Sequence, residues 1–215
     1  LMLLVSGGHT EFLAVIGVGK YKKLGGTLDD SIGESFDKVA KMMGLSYPGG
    51  PIIEEYAVDG NKEAFNFPRP LENSKNCNFS FSGLKTAVKR QIDLLVSQNL
   101  LTEEIKKNIA ASFQKTVSDI VKTKINFAIS EYKSLNLAGN INKFVIAGGV
   151  AANKYLRNEI ISVTKKSNFE FFAPPISICT DNGLMVAWAG IENLLIGKTH
   201  NLDFKPRSSW PLEKL

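Results

Sequence analysis

Two glycine pairs govern what this chain can become. Gly7-Gly8 follows the apolar run Leu1-Met2-Leu3-Leu4-Val5, and Gly148-Gly149 follows Lys143–Ala147. A short apolar run stopped by glycine reads as a buried strand ending in a tight turn. With no side chains at Gly7 and Gly8, backbone N–H groups can approach an anionic oxygen and form a nest, and Ser6 and Thr10 add hydroxyl donors. A hairpin turn needing positive φ is the plainer account of one such pair taken alone. The second pair shifts the balance. Ala147-Gly148-Gly149-Val150-Ala151-Ala152-Asn153 joins a strand to a helix, whose N-terminus adds partial positive charge. Gly49-Gly50 supplies a third backbone open to close approach.

The segments around these loops give the fold class. Residues 1–6, 11–18 and 21–24 read as three strands of a meander. Ile32, Phe36, Val39, Ala40 and Met43 recur on one helical face from about Ser31, and Gly44 stops the helix. Tyr47-Pro48-Gly49-Gly50-Pro51 is a rigid turn before a short helix near Ile52. Residues 60–80, rich in Asn, Pro and Lys, read as a surface loop. Helical signal returns after Phe79–Thr86. From Thr102 a stripe from Ile105 to Tyr132 is long for one globular helix, which leaves room for a break or kink. Strands at 143–147 and 169–173, helices at 152–163 and from about Asp181, and a polar tail from His200 complete the chain. The order is that of a layered α/β domain, as in one lobe of an actin-like ATPase fold with nucleotide between two lobes.

Bulk properties narrow the functions. At 215 residues the chain can hold one large core or one domain with an insertion, and its 44% hydrophobic and 22% charged content is that of a globular protein. No apolar stretch approaches the roughly 20 residues of a membrane helix, and no signal-peptide pattern opens the chain. Because Leu1–Val5 starts abruptly as a core strand, the sequence is expected to be a fragment. Cys77 and Cys179 stand far apart without a metal-ligand spacing, as in a cytoplasmic protein. The net charge of +5 permits a nucleic-acid partner without requiring one. Gly197-Lys198-Thr199 mimics the end of a phosphate-binding loop, but Glu192 holds the earlier glycine position and the stretch follows a helix instead of opening one.

Seven stretches in order resemble the tRNA N6-adenosine threonylcarbamoyltransferase family, once described as O-sialoglycoprotein endopeptidases. They are Leu4–Thr10, Gly33–Lys38, Tyr47–Pro51, Phe67–Pro70, Phe79–Thr86, Gly148–Asn153 and Cys179–Gly183. The resemblance implies an α/β actin-like ATPase fold, mainly its second lobe, with a helical insertion at about 52–135 and the N-terminal lobe absent. It also implies transfer of threonylcarbamoyl from threonylcarbamoyl-AMP to the N6 amine of an adenosine beside the anticodon. Implied with it are a divalent metal (iron or zinc), an adenine nucleotide, tRNA and accessory subunits as partners, and a cytoplasmic setting. Carried onto this sequence, Leu4, Val5, Ser6, Gly7 and Gly8 form the substrate-phosphate loop. Asp37, Gly50 and Asn153 contact the nucleotide, and Asp181 is a metal ligand.

Each of these side chains also has a plainer role. Asp37 can accept from ribose hydroxyls, or pair with Lys41 four residues on, a contact worth about 0.3–0.5 kcal/mol. Asn153 can reach a ribose or base, or merely cap a helix. Asp181, beside Thr180 and Asn182 after Pro174-Pro175, suits a hard-oxygen metal contact or a cap. The sequence departs from the family at the metal: an H-x-x-G-H motif is expected, and His9 and His200 are the only histidines. This chain alone is therefore expected to be inactive, with two metal ligands lacking. Rival readings are a non-catalytic nucleotide-binding partner, a split enzyme, and a metalloprotease, for which no H-E-x-x-H is present.

Overall fold

The computed structural model describes residues 1–137, 141–203, 205–207 and 210. Strands β1 (Met2–Val5), β2 (Thr10–Gly17) and β3 (Lys20–Gly26) form an antiparallel meander, joined on the other side of β1 by β4 (Lys143–Ala147) and β5 (Glu170–Phe172). The sheet order is β3-β2-β1-β4-β5, and β1, β4 and β5 run parallel. All five strands fall where the hydrophobic runs place them, β4 without a shift and the others with ends moved by at most two residues.

Helices α1 (Ile32–Met42), α2 (Gly49–Val58), α3 (Ser82–Ser97) and α4 (Glu103–Ser134) intervene before β4, and α5 (Lys154–Lys166) and α6 (Gly183–Leu195) follow it. The helix beginning near Ile52 in the sequence in fact starts at Gly49, because the Asp37 carboxylate accepts the Gly49 N–H at 2.7 Å and so supplies the first turn with a partner. Pro51, within that first turn, lacks only a donor that would be orphaned anyway. No break interrupts α4. It contains neither glycine nor proline, and it buries Phe113, Val117, Val121, Ile125 and Ala128 along its length, so packing continues on both sides of any candidate kink. Among the described residues no helix is long and apolar enough to cross a membrane.

Aromatic rings tie the layers together. Phe12 of β2 stacks on Phe79 at 5.2 Å, Phe79 on Phe81 at 5.9 Å, and Phe36 of α1 meets Phe113 of α4 edge-on at 5.0 Å. The alternation Phe79-Ser80-Phe81-Ser82 sends the rings inward and the serines toward Asp29. That carboxylate accepts from the Ser80 and Ser82 hydroxyls and from the Phe81 N–H, at 2.6, 2.8 and 2.8 Å, at the start of α3.

The loop between α2 and α3 carries no regular element, as its composition suggests, yet it is firmly anchored. Lys124, fully buried on α4, donates to the carbonyls of Leu71, Ser74 and Asn76 and to the Ser74 hydroxyl. Arg69 pairs with Asp119 at 2.9 Å. An ammonium surrounded by carbonyl dipoles is a substitute for hydration, which is how the lysine tolerates burial.

Candidate functional site

Parallel pairing of Met2, Leu3 and Leu4 with Val145, Ile146 and Ala147 brings the two glycine loops out side by side at the C-terminal ends of β1 and β4. In open α/β sheets that end of the strands is where ligands collect. The glycines there divide into two kinds. Gly148 has φ +99, and a Cβ on it would stand 2.8 Å from the carbonyl carbon of Val5 and closer still to the oxygen. A Cβ on Gly33 would meet the Ser6 carbonyl oxygen at 2.6 Å, and one on Gly49 would meet Asp37 Cα at 2.5 Å. These three let backbones touch. Gly7, Gly8, Gly50 and Gly149 instead have nothing within 4 Å of an added Cβ. Their missing side chains leave room for something else.

The first loop is a four-residue hairpin turn whose N–H groups are largely used internally. The Ser6 hydroxyl accepts from Gly8 N at 3.2 Å and His9 N at 3.0 Å, and Ser6 N donates to the His9 carbonyl. Neither Gly7 nor Gly8 has positive φ, so the turn does not itself demand glycine. Thr10 is fully buried and its hydroxyl accepts the Ile32 N–H at 2.9 Å. Thr10 is therefore closed to a ligand, whereas the Ser6 hydroxyl is used here only as an acceptor and keeps its O–H as a donor. Among the described residues no hydrogen bond occupies the Gly7 N–H. Ser31, the N-cap of α1, donates to the Gly7 carbonyl at 2.6 Å and fixes this loop against the helix start.

A cavity of about 300 Å³ lies beneath this loop, and it gathers Gly7, Asp37, Gly50 and Asn153. Gly33 near the start of α1, Gly50 at the start of α2 and Gly149, Val150 and Ala152 of the 3-10 turn line it, so helix N-termini converge on one space, although the Gly33 N–H is itself given to the Ser6 carbonyl at 3.2 Å. Asp37 gives one carboxylate oxygen to Gly49 N, and among the described residues no ion pair joins it to Lys41. Its other oxygen is left for the cavity. Asn153 is 7% exposed and caps α5, its Oδ1 accepting from Leu156 N at 2.8 Å while its Nδ2 donates to Gln114 Oε1 at 2.9 Å. Capping and cavity lining therefore coexist in one residue.

A second cavity, of about 870 Å³, shares Gly149 with the first and is lined by Leu4, Ser6, Tyr21, Gly148, Asp181 and Trp188 among others. The expected phosphate loop is thus split. Gly7 faces the smaller space and Leu4 and Ser6 the larger, whereas buried Val5 and exposed Gly8 line neither. Asp181 is exposed and does not cap α6; Asn182 does, accepting from Met185 N at 3.0 Å. Among the described residues no three His, Cys, Asp or Glu side chains stand close enough to hold a metal ion. Asp181 alone does not fit one, since useful sites need several ligands acting together. Gly197 ends α6 with φ +75, which makes the Gly197-Lys198-Thr199 stretch a helix terminator.

Three residues of this region escaped the sequence reading. Glu54 lines the smaller cavity and accepts the Lys154 N–H at 2.7 Å, joining α2 to the start of α5. Arg157 donates to the Ala151 carbonyl at 3.0 and 2.7 Å and to the Pro174 carbonyl at 3.0 Å, tying the second glycine loop to the segment that leads to Asp181. Gln114 is a buried amide on α4, whose buried face also carries Ser112, Thr116, Ser118 and Lys124, so no single interruption of an apolar stripe marks it in the sequence.

A meander joined to parallel strands, with glycine loops at the strands' C-terminal ends, is an α/β arrangement of the actin-like ATPase class. The family model described as tRNA N6-adenosine threonylcarbamoyltransferase matches residues 1–188. Curated relatives bearing that name include those of Ehrlichia ruminantium (strain Welgevonden), 51% identical over the whole chain and 60% of the relative, and of Wolbachia pipientis wMel, 51% identical over 99% of the chain and 61% of the relative. The Pelagibacter ubique relative is 46% identical over 99% of the chain and 58% of its own length. Among solved structures, full-length HypF in its phosphate- and nucleotide-bound form superposes with a TM-score of 0.47 at 24% identity, over 79% of this chain and 21% of that one. The chain belongs to the tRNA N6-adenosine threonylcarbamoyltransferase family. It spans about 60% of the length of the curated relatives it matches.

Proposed function

We propose that this chain is the nucleotide-holding wall of an enzyme that transfers threonylcarbamoyl from threonylcarbamoyl-AMP to the N6 amine of an adenosine beside the tRNA anticodon. The observation that carries the reading is the convergence of Gly7, Asp37, Gly50 and Asn153 on one cavity in a member of this family. In this reading the Gly7 and Gly50 N–H groups and the helix starts face the anionic oxygens of the adenylate, the free Asp37 oxygen accepts from ribose hydroxyls, and the Asn153 amide donates to the nucleoside. The larger cavity beyond Gly149 then receives the acyl end and the incoming base. The amine attacks the carbamoyl carbonyl carbon, the bond from that carbon to the phosphate oxygen breaks, AMP leaves, and the amine gives up a proton. An unpaired anticodon-loop base suits this geometry, because it can be splayed out to reach a pocket.

Residues 1–215 are taken as the C-terminal lobe, with about 52–135 inserted as helices and the opposing wall outside this chain, in a cytoplasmic protein working with accessory subunits. A divalent ion (iron or zinc) belongs to the proposal only with two histidines from beyond this chain and Asp181 as one oxygen ligand; no step above depends on it. A second reading is a nucleotide-binding partner without activity of its own, which the smaller cavity alone would serve. The test supplies threonylcarbamoyl-AMP and unmodified tRNA, and measures threonylcarbamoyladenosine by mass spectrometry. It compares this chain alone with the same chain joined to a lobe carrying H-x-x-G-H. Product is expected only from the joined protein. Robust product from the chain alone would overturn the division into two walls, and none from either would favour the inactive partner.

A further inference from the structure

Asn153 is the one side chain at the smaller cavity whose amide is held from both sides. Its Oδ1 takes the Leu156 N–H at 2.8 Å, and one Nδ2 hydrogen goes to Gln114 Oε1 at 2.9 Å. Turning the amide over would set an NH2 against the Leu156 N–H and an oxygen against Gln114 Oε1, two like-with-like contacts in a buried place. The cap bond alone is a weak guard, because a helix start can borrow water as a partner. Gln114 closes that escape: it comes from the neighbouring helix α4, is itself 5% exposed, and meets the α5 cap directly.

We infer that Gln114 is a positioning residue for nucleotide recognition: it fixes the Asn153 amide so that the second Nδ2 hydrogen is presented to the cavity as a donor to an acceptor atom of the bound nucleoside. This deepens the proposed function and rests on it. The substrate group at Asn153 is then a hydrogen-bond acceptor, such as a ribose oxygen or a ring nitrogen of adenine. The chemistry also predicts which replacements succeed. A carboxyl offers an acceptor oxygen in either protonation state, so Gln114→Glu keeps the clamp. Gln114→Met fills similar space without an acceptor and releases it.

The experiment titrates AMP into the full chain by calorimetry for wild type, Gln114→Glu and Gln114→Met, with melting temperature measured alongside. Gln114→Met is expected to bind roughly three- to tenfold more weakly, the value of about one neutral hydrogen bond, and Gln114→Glu to bind like wild type even where its melting temperature falls. A residue serving only the core would lower melting temperature in both variants and leave affinity unchanged, which overturns the inference while sparing the nucleotide site. Absence of AMP binding by the wild type is a separate outcome, which sinks the site reading and this inference with it. Should Gln114→Met not fold, the wild-type Asn153 side-chain amide decides by NMR. One Nδ2 proton should be protected from exchange without ligand and the other only with AMP; two protons that exchange alike without ligand, or a second proton that AMP leaves unprotected, would overturn the proposal.

Discussion

Replacing Gly148 by alanine should cost the fold far more than the loss of one hydrogen atom suggests. Gly148 has φ +99 and ψ 168, a region open essentially to glycine alone. Holding another residue there costs about 1–3 kcal/mol before any collision is counted. The collision is then with backbone: the new Cβ would stand 2.8 Å from the Val5 carbonyl carbon and closer to its oxygen. Val5 ends the central strand β1, so it can retreat only by disturbing the β1–β4 pairing at Leu4 and Ala147. A total near 3 kcal/mol is reasonable for strain plus displacement, and in a chain of this size each kcal/mol moves Tm by about 2–4 °C. Thermal unfolding followed by circular dichroism should show Tm lowered by about 6–12 °C. Gly7→Val is the matched contrast, since Gly7 has open space and no positive φ. It should keep Tm within the small range of surface substitutions, about 0.5 kcal/mol, and lose affinity for adenine nucleotide instead. A Gly148→Ala protein melting within about 2 °C of wild type, under the same size scaling, would refute the close-packing argument.

Asn182→Ala should destabilise by about 1 kcal/mol in urea unfolding, because Asn182 caps α6. Asp181→Ala should leave the unfolding midpoint unchanged, and equal losses in the two variants would return Asp181 to a capping role. Burial pushes the Asp29 carboxyl up, but hydrogen bonds from the Ser80 hydroxyl, the Phe81 N–H and Ser82 outweigh it, and the net shift is downward. Its stabilising contribution is therefore present above the unfolded value of about 3.9 and is lost as pH falls through the lower folded value. Asp29→Asn should flatten the acid limb of a stability-against-pH curve, and an unchanged limb would show that other carboxylates set it.

How much of this was legible in the sequence follows from what each signal encodes. β1, β4 and α1 were clear because period and punctuation agree: Leu3 and Val5 alternate inward, Phe36, Val39 and Ala40 share a face, and Gly44 takes φ +73 where the helix ends. The start of α2 was misplaced because its first turn is completed by Asp37, twelve residues earlier, and no local pattern carries a long-range cap. The continuous α4 was hidden for a related reason, since only tertiary packing along both ends decides whether a long helix stays straight. Lys124 gave no signal at all. Its partners are carbonyls of Leu71, Ser74 and Asn76, and backbone oxygens are present at every position.

The sequence named most of the residues that line the two cavities but not how their polar atoms are used. For Asp37 and Asn153 the sequence offered a choice between structural partner and ligand contact, and the geometry dissolves that choice. Asp37 gives one oxygen to Gly49 N and keeps one; Asn153 gives its oxygen to Leu156 N and one hydrogen to Gln114, and keeps one. A side chain with several polar positions is oriented by filling all but one of them, because the filled ones remove rotational freedom that binding would otherwise have to remove. The same reasoning separates Ser6 from Thr10. Thr10 is fully buried with its oxygen accepting the Ile32 N–H, so it shapes the loop, whereas the Ser6 oxygen accepts from the Gly8 and His9 N–H groups and its hydroxyl proton is left over. What a residue can offer a ligand here is set by what the fold has left unused on it, a quantity that residue type and spacing do not contain.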